Sequence, residues 1–471
     1  MYNDAVQQIG VIGLGTMGAN IARNAARNGA QVAVFNRTTE KMETFLSLHG
    51  KEGRFIKCKT LEELSAALKP PRVVLLMVSA GSAVDLTLEE LLSQLEYGDI
   101  VIDGGNSHYR DTERREELLG KRGIRFLGLG ISGGEQGALE GPSMMAGGSH
   151  DAFNIVEPLL RDMAAEDGED GKCVAFMGKG GAGHFVKMVH NGIEYGVMQL
   201  IAESYDLLRG FGANSAEVSR IITSWLQGDL QSFLMETTAK VLARKEDESG
   251  SFLVDLIKDS AGQKGTGRWT TEAAMLYGTA IPTITAAVDA RFLSQLPEER
   301  MRRSKTFEAA TVPDGLDVRE APELFRTALT AATLLTYSQG FELLSRASHA
   351  ESWGLPLVSI ARIWRGGCII RSPLLKIFQH AYGGTSEDMK RERQAIINRL
   401  SGENLKAIRR TVASAVSRGI PVPSFSATLA YYDSIRASRL PQNLIQAQRD
   451  AFGAHTFERT DKSGSFHVNW N

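Results

Sequence analysis

Lys187, His190, Asn191, Glu194 and Tyr195 stand at i, i+3, i+4, i+7 and i+8 of the run Lys187-Met-Val-His-Asn-Gly-Ile-Glu-Tyr195. On a helix that spacing places all five on one face. The face offers an amine, an imidazole, an amide and a carboxyl within about two turns. An amine that takes up a proton and a carboxyl that gives one back are the tools of acid–base chemistry at a substrate carbon or hydroxyl. Val189, Ile193 and Val197 form a separate apolar stripe that can hold the helix in a core.

A second helical unit lacks these groups. Glu203, Val218, Ile221, Trp225 and Gly228 match Glu342, Leu357, Ile360, Trp364 and Gly367, each pair 139 positions apart. That offset reads as an internal repeat. It maps Lys187, His190, Asn191, Glu194 and Tyr195 onto Arg326, Leu329, Thr330, Thr333 and Leu334. A polar face needed only to build the unit would recur in both copies. Its absence from the second favours chemistry over architecture.

The elements that position this face follow from the pattern. From residue 8 to about 180, short apolar runs alternate with amphipathic helices. The runs include Gln8–Ile12, Gln31–Phe35, Val73–Val78, Ile100–Ile102 and Phe126–Leu129. That is the signature of βαβ units and a parallel sheet, an α/β Rossmann-type domain. Beyond Gly178-Lys-Gly-Gly-Ala-Gly183 the periodicity is helical to about 438. The expected units are 1–180, an all-helical 181–438 with repeats at about 183–315 and 322–438, and a tail at 439–471. The tail is polar and Gly-containing, and must lean on something else for order. The acidic stretch Ala164–Lys172 reads as a surface loop.

Gly13-Leu14-Gly15-Thr16-Met17-Gly18 follows the first strand and opens a helix, the context of a dinucleotide-binding turn. Asn36-Arg37-Thr38 ends the second strand, where NAD sites place an acidic residue for the ribose hydroxyl. A guanidinium there suits a 2′-phosphate, so NADP is expected over NAD. Val78-Ser79-Ala80 and Asp103-Gly-Gly-Asn106-Ser107 end two further strands, at the edge where ligands bind. Asn106 is the candidate to touch both nicotinamide and substrate; the bland reading is a turn-forming Asn. Ser132-Gly133-Gly134 offers a hydroxyl and free amides. Lys264 and Thr266 lie in a Gly-rich loop that reads as a phosphate cradle or simply as a loop. Arg449 and His455 lie in the tail, His455 equally readable as a structural histidine.

Composition narrows the class. The chain has 471 residues, with 53 Lys+Arg against 55 Asp+Glu, so bulk charge points to neither nucleic acid nor a membrane surface. Val73–Val78, the longest strongly apolar run, is far too short for a bilayer. The first eight residues are polar, unlike a secretory signal. Cys58, Cys173 and Cys368 fit no metal or redox spacing and read as reduced thiols, so a cytoplasmic setting is expected.

These motifs together resemble the decarboxylating 6-phosphogluconate dehydrogenases over essentially the whole length. The matching stretches are Gly13–Gly18, Phe35–Thr38, Asp103–Ser107, Ile131–Gly134, Gly183–Tyr195, Gln263–Gly267 and Arg449–His455. The resemblance implies oxidation of 6-phospho-D-gluconate at C3 with NADP as hydride acceptor, loss of CO2, and protonation of the enediol to ribulose 5-phosphate. It places such an enzyme in the oxidative pentose phosphate pathway and gluconate utilisation. It implies Lys187 as general base and then acid, and Glu194 as the acid that protonates C1. It gives Asn106, Ser132, Gly133, Gly134, His190 and Asn191 roles around the carboxylate and hydroxyls. Tyr195, Lys264, Thr266, Arg291, Arg449 and His455 resemble the phosphate and polyol contacts. No metal is implied. The family's tail crosses into a partner subunit, so a homodimer with shared sites is expected. Many members carry Lys where this chain has Ser79, which leaves cofactor affinity open. Two rivals remain on residues alone: another β-hydroxyacid dehydrogenase, and a nucleotide sensor that has lost catalysis.

Overall fold

The computed structural model describes residues 8–169, 171–308, 311–313, 315–383, 394, 396, 400 and 402–470. The ends of the first expected unit and of the tail, and part of the second repeat, fall outside the described residues.

Strands β1 Gln8–Ile12, β2 Gln31–Phe35, β3 Arg54–Lys57, β4 Val73–Leu76, β5 Ile100–Asp103, β6 Arg125–Ser132, β7 Ser143–Gly148 and β8 Val174–Gly178 form one sheet. Its order is β3-β2-β1-β4-β5-β6-β7-β8. Helices α1 Thr16–Arg27, α2 Thr39–His49, α3 Leu61–Ala66, α4 Ser82–Leu91, α5 Tyr109–Gly120, α6 Gly134–Glu140 and α7 His150–Met163 connect the strands. The central strands are near-continuous Val, Ile and Leu because helices cover both faces.

The sheet is not wholly parallel, contrary to the βαβ expectation. β6 and β7 pair antiparallel, with Leu127 opposite Gly148 and Ser132 opposite Ser143. Residues 133–142 alone join them. A parallel crossover needs about a dozen residues or more, so the chain must turn back. Two apolar runs also shift: the fourth strand stops at Leu76, and the sixth extends to Ser132.

Then come α8 Ala182–Gly210, α9 Ser215–Ser224, α10 Phe233–Ala243, α11 Thr266–Leu276, α12 Pro282–Ser294, α13 Pro297–Thr306, α14 Ala321–Ala350, α15 Leu357–Ile363, α16 Leu375–Tyr382, α17 Glu403–Ser417, α18 Pro423–Arg436 and α19 Gln442–Gly453. α8 opens at Ala182 and α14 at Ala321, 139 positions on, the offset read from the sequence. The two long helices pack closely where side chains are small. A Cβ on Gly196 would meet Thr336 at 2.6 Å, and one on Gly340 would meet Ile193 at 2.5 Å. The apolar stripe of Val189, Ile193 and Val197 lies in that core.

Two loops are more ordered than their composition suggests. In 164–169 and 171–172, Asp167 accepts from the amides of Glu169 and Gly171, while Arg365 and Lys376 reach Glu169. The tail builds its own scaffold from α19 and the hairpin of β9 Phe457–Glu458 and β10 Ser465–Phe466. Buried Asp450 is its hub: it accepts from the Thr456 and Val468 amides and from Trp470 Nε1, and faces His467 Nδ1 at 2.9 Å. No described helix is long and apolar enough to cross a membrane.

Candidate active site

α8 reaches the carboxyl edge of the sheet because glycines let it lie directly on β6 and β7. A Cβ on Gly183 would come within 2.6 Å of Gly128 O and Met145 O, and one on Gly130 would meet the Lys187 Cβ at 2.4 Å. The contact sets Lys187 over β6, near Ser132.

His190 joins the two elements. Its Nε2 lies 3.0 Å from Ser132 Oγ, while its Nδ1 lies 3.3 Å from Lys187 Nζ and 3.2 Å from Asn191 Oδ1. With Nε2 protonated, the ring donates to Ser132 and accepts from the Lys187 ammonium. With Nδ1 protonated, it donates to Asn191 and accepts from Ser132. Glu194 Oε2 stands 3.9 Å from Nδ1. Lys187, His190, Asn191 and Tyr195 are buried, and Glu194 keeps 22% of its side chain exposed.

Burial sets the protonation of this cluster. It brings the Lys187 amine down to about 8 against the opposing charge of Glu194. It holds His190 well below its ordinary range, with Lys187 adding to the effect. It raises the Glu194 carboxyl, while Lys187 and Arg291 pull the other way. An amine made easier to deprotonate and a carboxyl made easier to keep protonated thus stand on either side of His190 Nδ1, at 3.3 and 3.9 Å.

Around them, Gly133 and Gly134 take left-handed φ of +133° and +64° at the start of α6. Arg291 stacks on the Tyr195 ring, 3.4 Å from its centroid, and donates to Gly262 O at 3.2 Å. Thr266 is buried at the start of α11, and Lys264 is exposed just before it. Asn106 is exposed on the turn after β5. Arg449 and His455 are not brought to this cluster within the chain. Both are exposed on the tail, Arg449 bonded to Gln446 at 2.9 Å.

The Gly-rich turn separates three demands. A Cβ on Gly13 would strike Met77 O at 2.6 Å, and one on Gly18 would strike Gly13 O at 2.0 Å. Those two are fixed by the fold. A Cβ on Gly15 would meet nothing in the chain within 4 Å. Open space at that position fits a turn that a pyrophosphate approaches, with the Leu14, Thr16 and Met17 backbone around it. Asn36 holds the turn: its Oδ1 accepts from the Leu14 amide at 2.9 Å and its Nδ2 donates to Thr38 O at 2.9 Å. Arg37 is exposed and has no ion pair among the described residues. Val78, Ser79 and Ala80 lie on the neighbouring turn, Ser79 and Ala80 exposed.

Some residues that shape the site had no sequence signal of their own. Arg115, fully buried, donates to Asp103 Oδ2, Gly81 O and both oxygens of Asp85, tying the turns after β4 and β5 together. Asp103 also holds the Gly105 amide and Ser107 Oγ. The second repeat enters through Ile369, whose amide donates to Ser132 Oγ at 3.4 Å, and Trp364, edge-on to the His190 ring at 5.6 Å. The run Gly366-Gly367-Cys368 was the available hint.

The family model described as the NAD binding domain of 6-phosphogluconate dehydrogenase matches residues 8–178, and that of the 6-phosphogluconate dehydrogenase C-terminal domain matches 183–470. The chain is 48% identical over 468 residues to the decarboxylating 6-phosphogluconate dehydrogenase of Lactococcus lactis, covering 99% of each. It is 46% identical to the NADP(+)-dependent, decarboxylating enzyme of Bacillus subtilis, covering 98% of this chain and 99% of that one. Plasmodium falciparum 6-phosphogluconate dehydrogenase, a structure described with its cofactor NADP+ and its substrate, superposes with a TM-score of 0.93 at 40% identity, covering 98% of this chain and all of the other. The chain belongs to the 6-phosphogluconate dehydrogenase family.

Proposed function

We infer that the chain converts 6-phospho-D-gluconate to D-ribulose 5-phosphate and CO2 and reduces NADP to NADPH, a step of the oxidative pentose phosphate pathway. The observation that carries the reading is the buried Lys187–His190–Ser132 cluster with Glu194 beside it, at the sheet edge that also carries the dinucleotide turn. When bound, NADP supplies the hydride acceptor. Lys187, its amine near 8, takes the proton from the C3 hydroxyl as hydride leaves C3. The resulting ammonium then donates to the C3 oxygen, drawing electrons as the C1–C2 bond breaks and CO2 departs. Glu194, its carboxyl raised by burial, delivers a proton to the enediol carbon.

Asn106, Ser132, Gly133, Gly134, His190 and Asn191 are assigned to the substrate carboxylate and hydroxyls. Tyr195, Lys264, Thr266 and Arg291 are assigned to the polyol and phosphate ends, where cations fix a dianion in place. Arg449 and His455 are assigned to the site of a partner subunit in a homodimer. Their exposure supports this, as do Leu444, Ile445 and Phe452, apolar side chains left open on α19. The same reading keeps an NADP-binding unit at 1–180, a helical unit at 181–438 and a tail at 439–471, in a cytoplasmic protein. NADPH absorbance with 6-phosphogluconate, read alongside released CO2, tests the reaction. One CO2 per NADPH is expected; NADPH without CO2, or equal activity on unphosphorylated gluconate, contradicts it.

A further inference from the structure

Four elements meet in one joint between the sheet and the helical region. Tyr109 opens α5, Phe185 lies in the first turn of α8, Tyr277 caps the C-terminus of α11, and Trp353 follows α14. Their rings pack together around Phe185. Centroid distances from it are 5.1 Å to Tyr109, 4.9 Å to Trp353 and 5.8 Å to Tyr277. A polar lid closes the joint. Tyr277 Oη donates to Glu351 Oε1 at 2.7 Å and lies 3.2 Å from Tyr109 Oη. Arg110 donates to Glu351 Oε1 at 2.5 Å and to Oε2 at 3.3 Å.

Three of the four elements carry a separate piece of the proposed chemistry. Asn106 lies three residues before Tyr109. Lys187 lies two residues after Phe185. Lys264 and Thr266 sit at one end of α11, and Tyr277 caps the other. A second strut runs beside the lid: the His108 ring stands edge-on to Trp269, in the first turn of α11, at 5.2 Å. The nicotinamide-side turn, the base and the phosphate loop therefore share one joint, to which Glu351 at the end of α14 adds the carboxylate.

We propose that Tyr277, Glu351 and Arg110 are positioning residues, whose hydroxyl–carboxylate–guanidinium lid sets the spacing of Asn106, Lys187 and the Lys264–Thr266 loop for hydride transfer. This rests on the reaction inferred above. The lid is partly open to solvent, with 45% of the Arg110 side chain and 22% of Glu351 exposed. An ion pair so placed adds little to folding. A displacement of about 1 Å at reacting groups costs roughly a hundredfold in rate. The lid's removal should therefore be felt in catalysis before stability.

The test uses Tyr277→Phe, which keeps the ring and removes only the hydroxyl, and Glu351→Gln as an independent second variant. Each full-length variant is assayed for kcat, KM, Tm and the kinetic isotope effect with substrate deuterated at C3. The expected result is a kcat lower by about tenfold or more, a larger isotope effect as hydride transfer becomes slower, and a Tm close to wild type. Wild-type kcat and isotope effect in either folded variant would overturn the proposal. So would a kcat loss that follows a fall in Tm with the isotope effect unchanged. Wild-type protein inactive on 6-phosphogluconate would instead overturn the reaction, and the lid's role with it.

Discussion

Lys187 Nζ and His190 Nδ1 lie 3.3 Å apart on the buried first half of α8. Two groups that would both carry protons at low pH are thereby set against each other. Burial acts first on each, and Lys187 further discourages a charge on His190. The cluster is consequently poised to take one proton near neutral pH on Lys187, and Ser132 and Asn191 hold the neutral imidazole beside it.

The pH profile follows from that pairing. Lys187 has its affinity for protons lowered from the ordinary 10.5 to about 8. The base must be neutral, so kcat/KM of the wild type should rise with pH and level off above about 8. A profile flat from pH 6 to 9, or falling throughout that range, would remove Lys187 as the base.

Glu194 acts after hydride transfer in this scheme. Glu194→Gln should therefore give a rapid burst of NADPH on mixing, followed by turnover slower by about 10²–10⁴-fold. Stopped-flow absorbance separates the phases. A variant with no burst would place Glu194 earlier in the reaction.

The two glycines of the dinucleotide turn should part company. Gly18→Ala puts a Cβ 2.0 Å from Gly13 O and should lower Tm. Gly15→Ala meets nothing in the chain, so Tm of the free protein should hold while NADP binding weakens by tenfold or more, about 1.4 kcal/mol. Thermal melts with and without NADP decide the matter; unchanged NADP affinity in Gly15→Ala would remove the pyrophosphate from that spot.

Glu203 and Glu342, 139 positions apart, stand in different surroundings. Glu203 is buried and accepts from the Ser424 and Phe425 amides at 2.8 and 2.9 Å, capping α18 from α8. Glu342 accepts from the exposed Arg346 in its own helix at 3.0 Å. Glu203→Ala should cost about 1–3 kcal/mol by stranding two donors, and Glu342→Ala about 0.5 kcal/mol or less. Denaturant melts yielding equal losses would refute the capping role.

Shared sites can be counted by mixing. Lys187→Ala and His455→Ala subunits, each inactive alone, should recover about a quarter of wild-type activity when co-expressed. Half the dimers would be mixed, and one of their two sites would be intact. No recovery would confine each site to a single chain.

The sequence made much of this arrangement legible because local rules governed it. The spacing from Lys187 to Tyr195 is helical, and α8 is a continuous helix, so its polar face could be read without coordinates. The two long helices open at Ala182 and Ala321, 139 positions apart, so that offset too could be read from the sequence. The direction of β7 was not legible, because it depends on how few residues separate it from β6. Arg115, Ile369 and Glu351 were silent too. Each acts on a partner far away in sequence, on Asp85, Ser132 and Arg110 respectively, and no periodicity records such meetings. Asp450 was hidden in the tail because a single buried carboxylate, rather than an apolar run, organises that segment.

The most direct test of the amine's role is Lys187→Ala assayed for NADPH, CO2 and NADP affinity in parallel. The account predicts wild-type binding of NADP, a wild-type melting profile within a few degrees, and turnover of 6-phosphogluconate reduced by at least about 10²–10⁴-fold. A variant that still releases CO2 at close to the wild-type rate would contradict it.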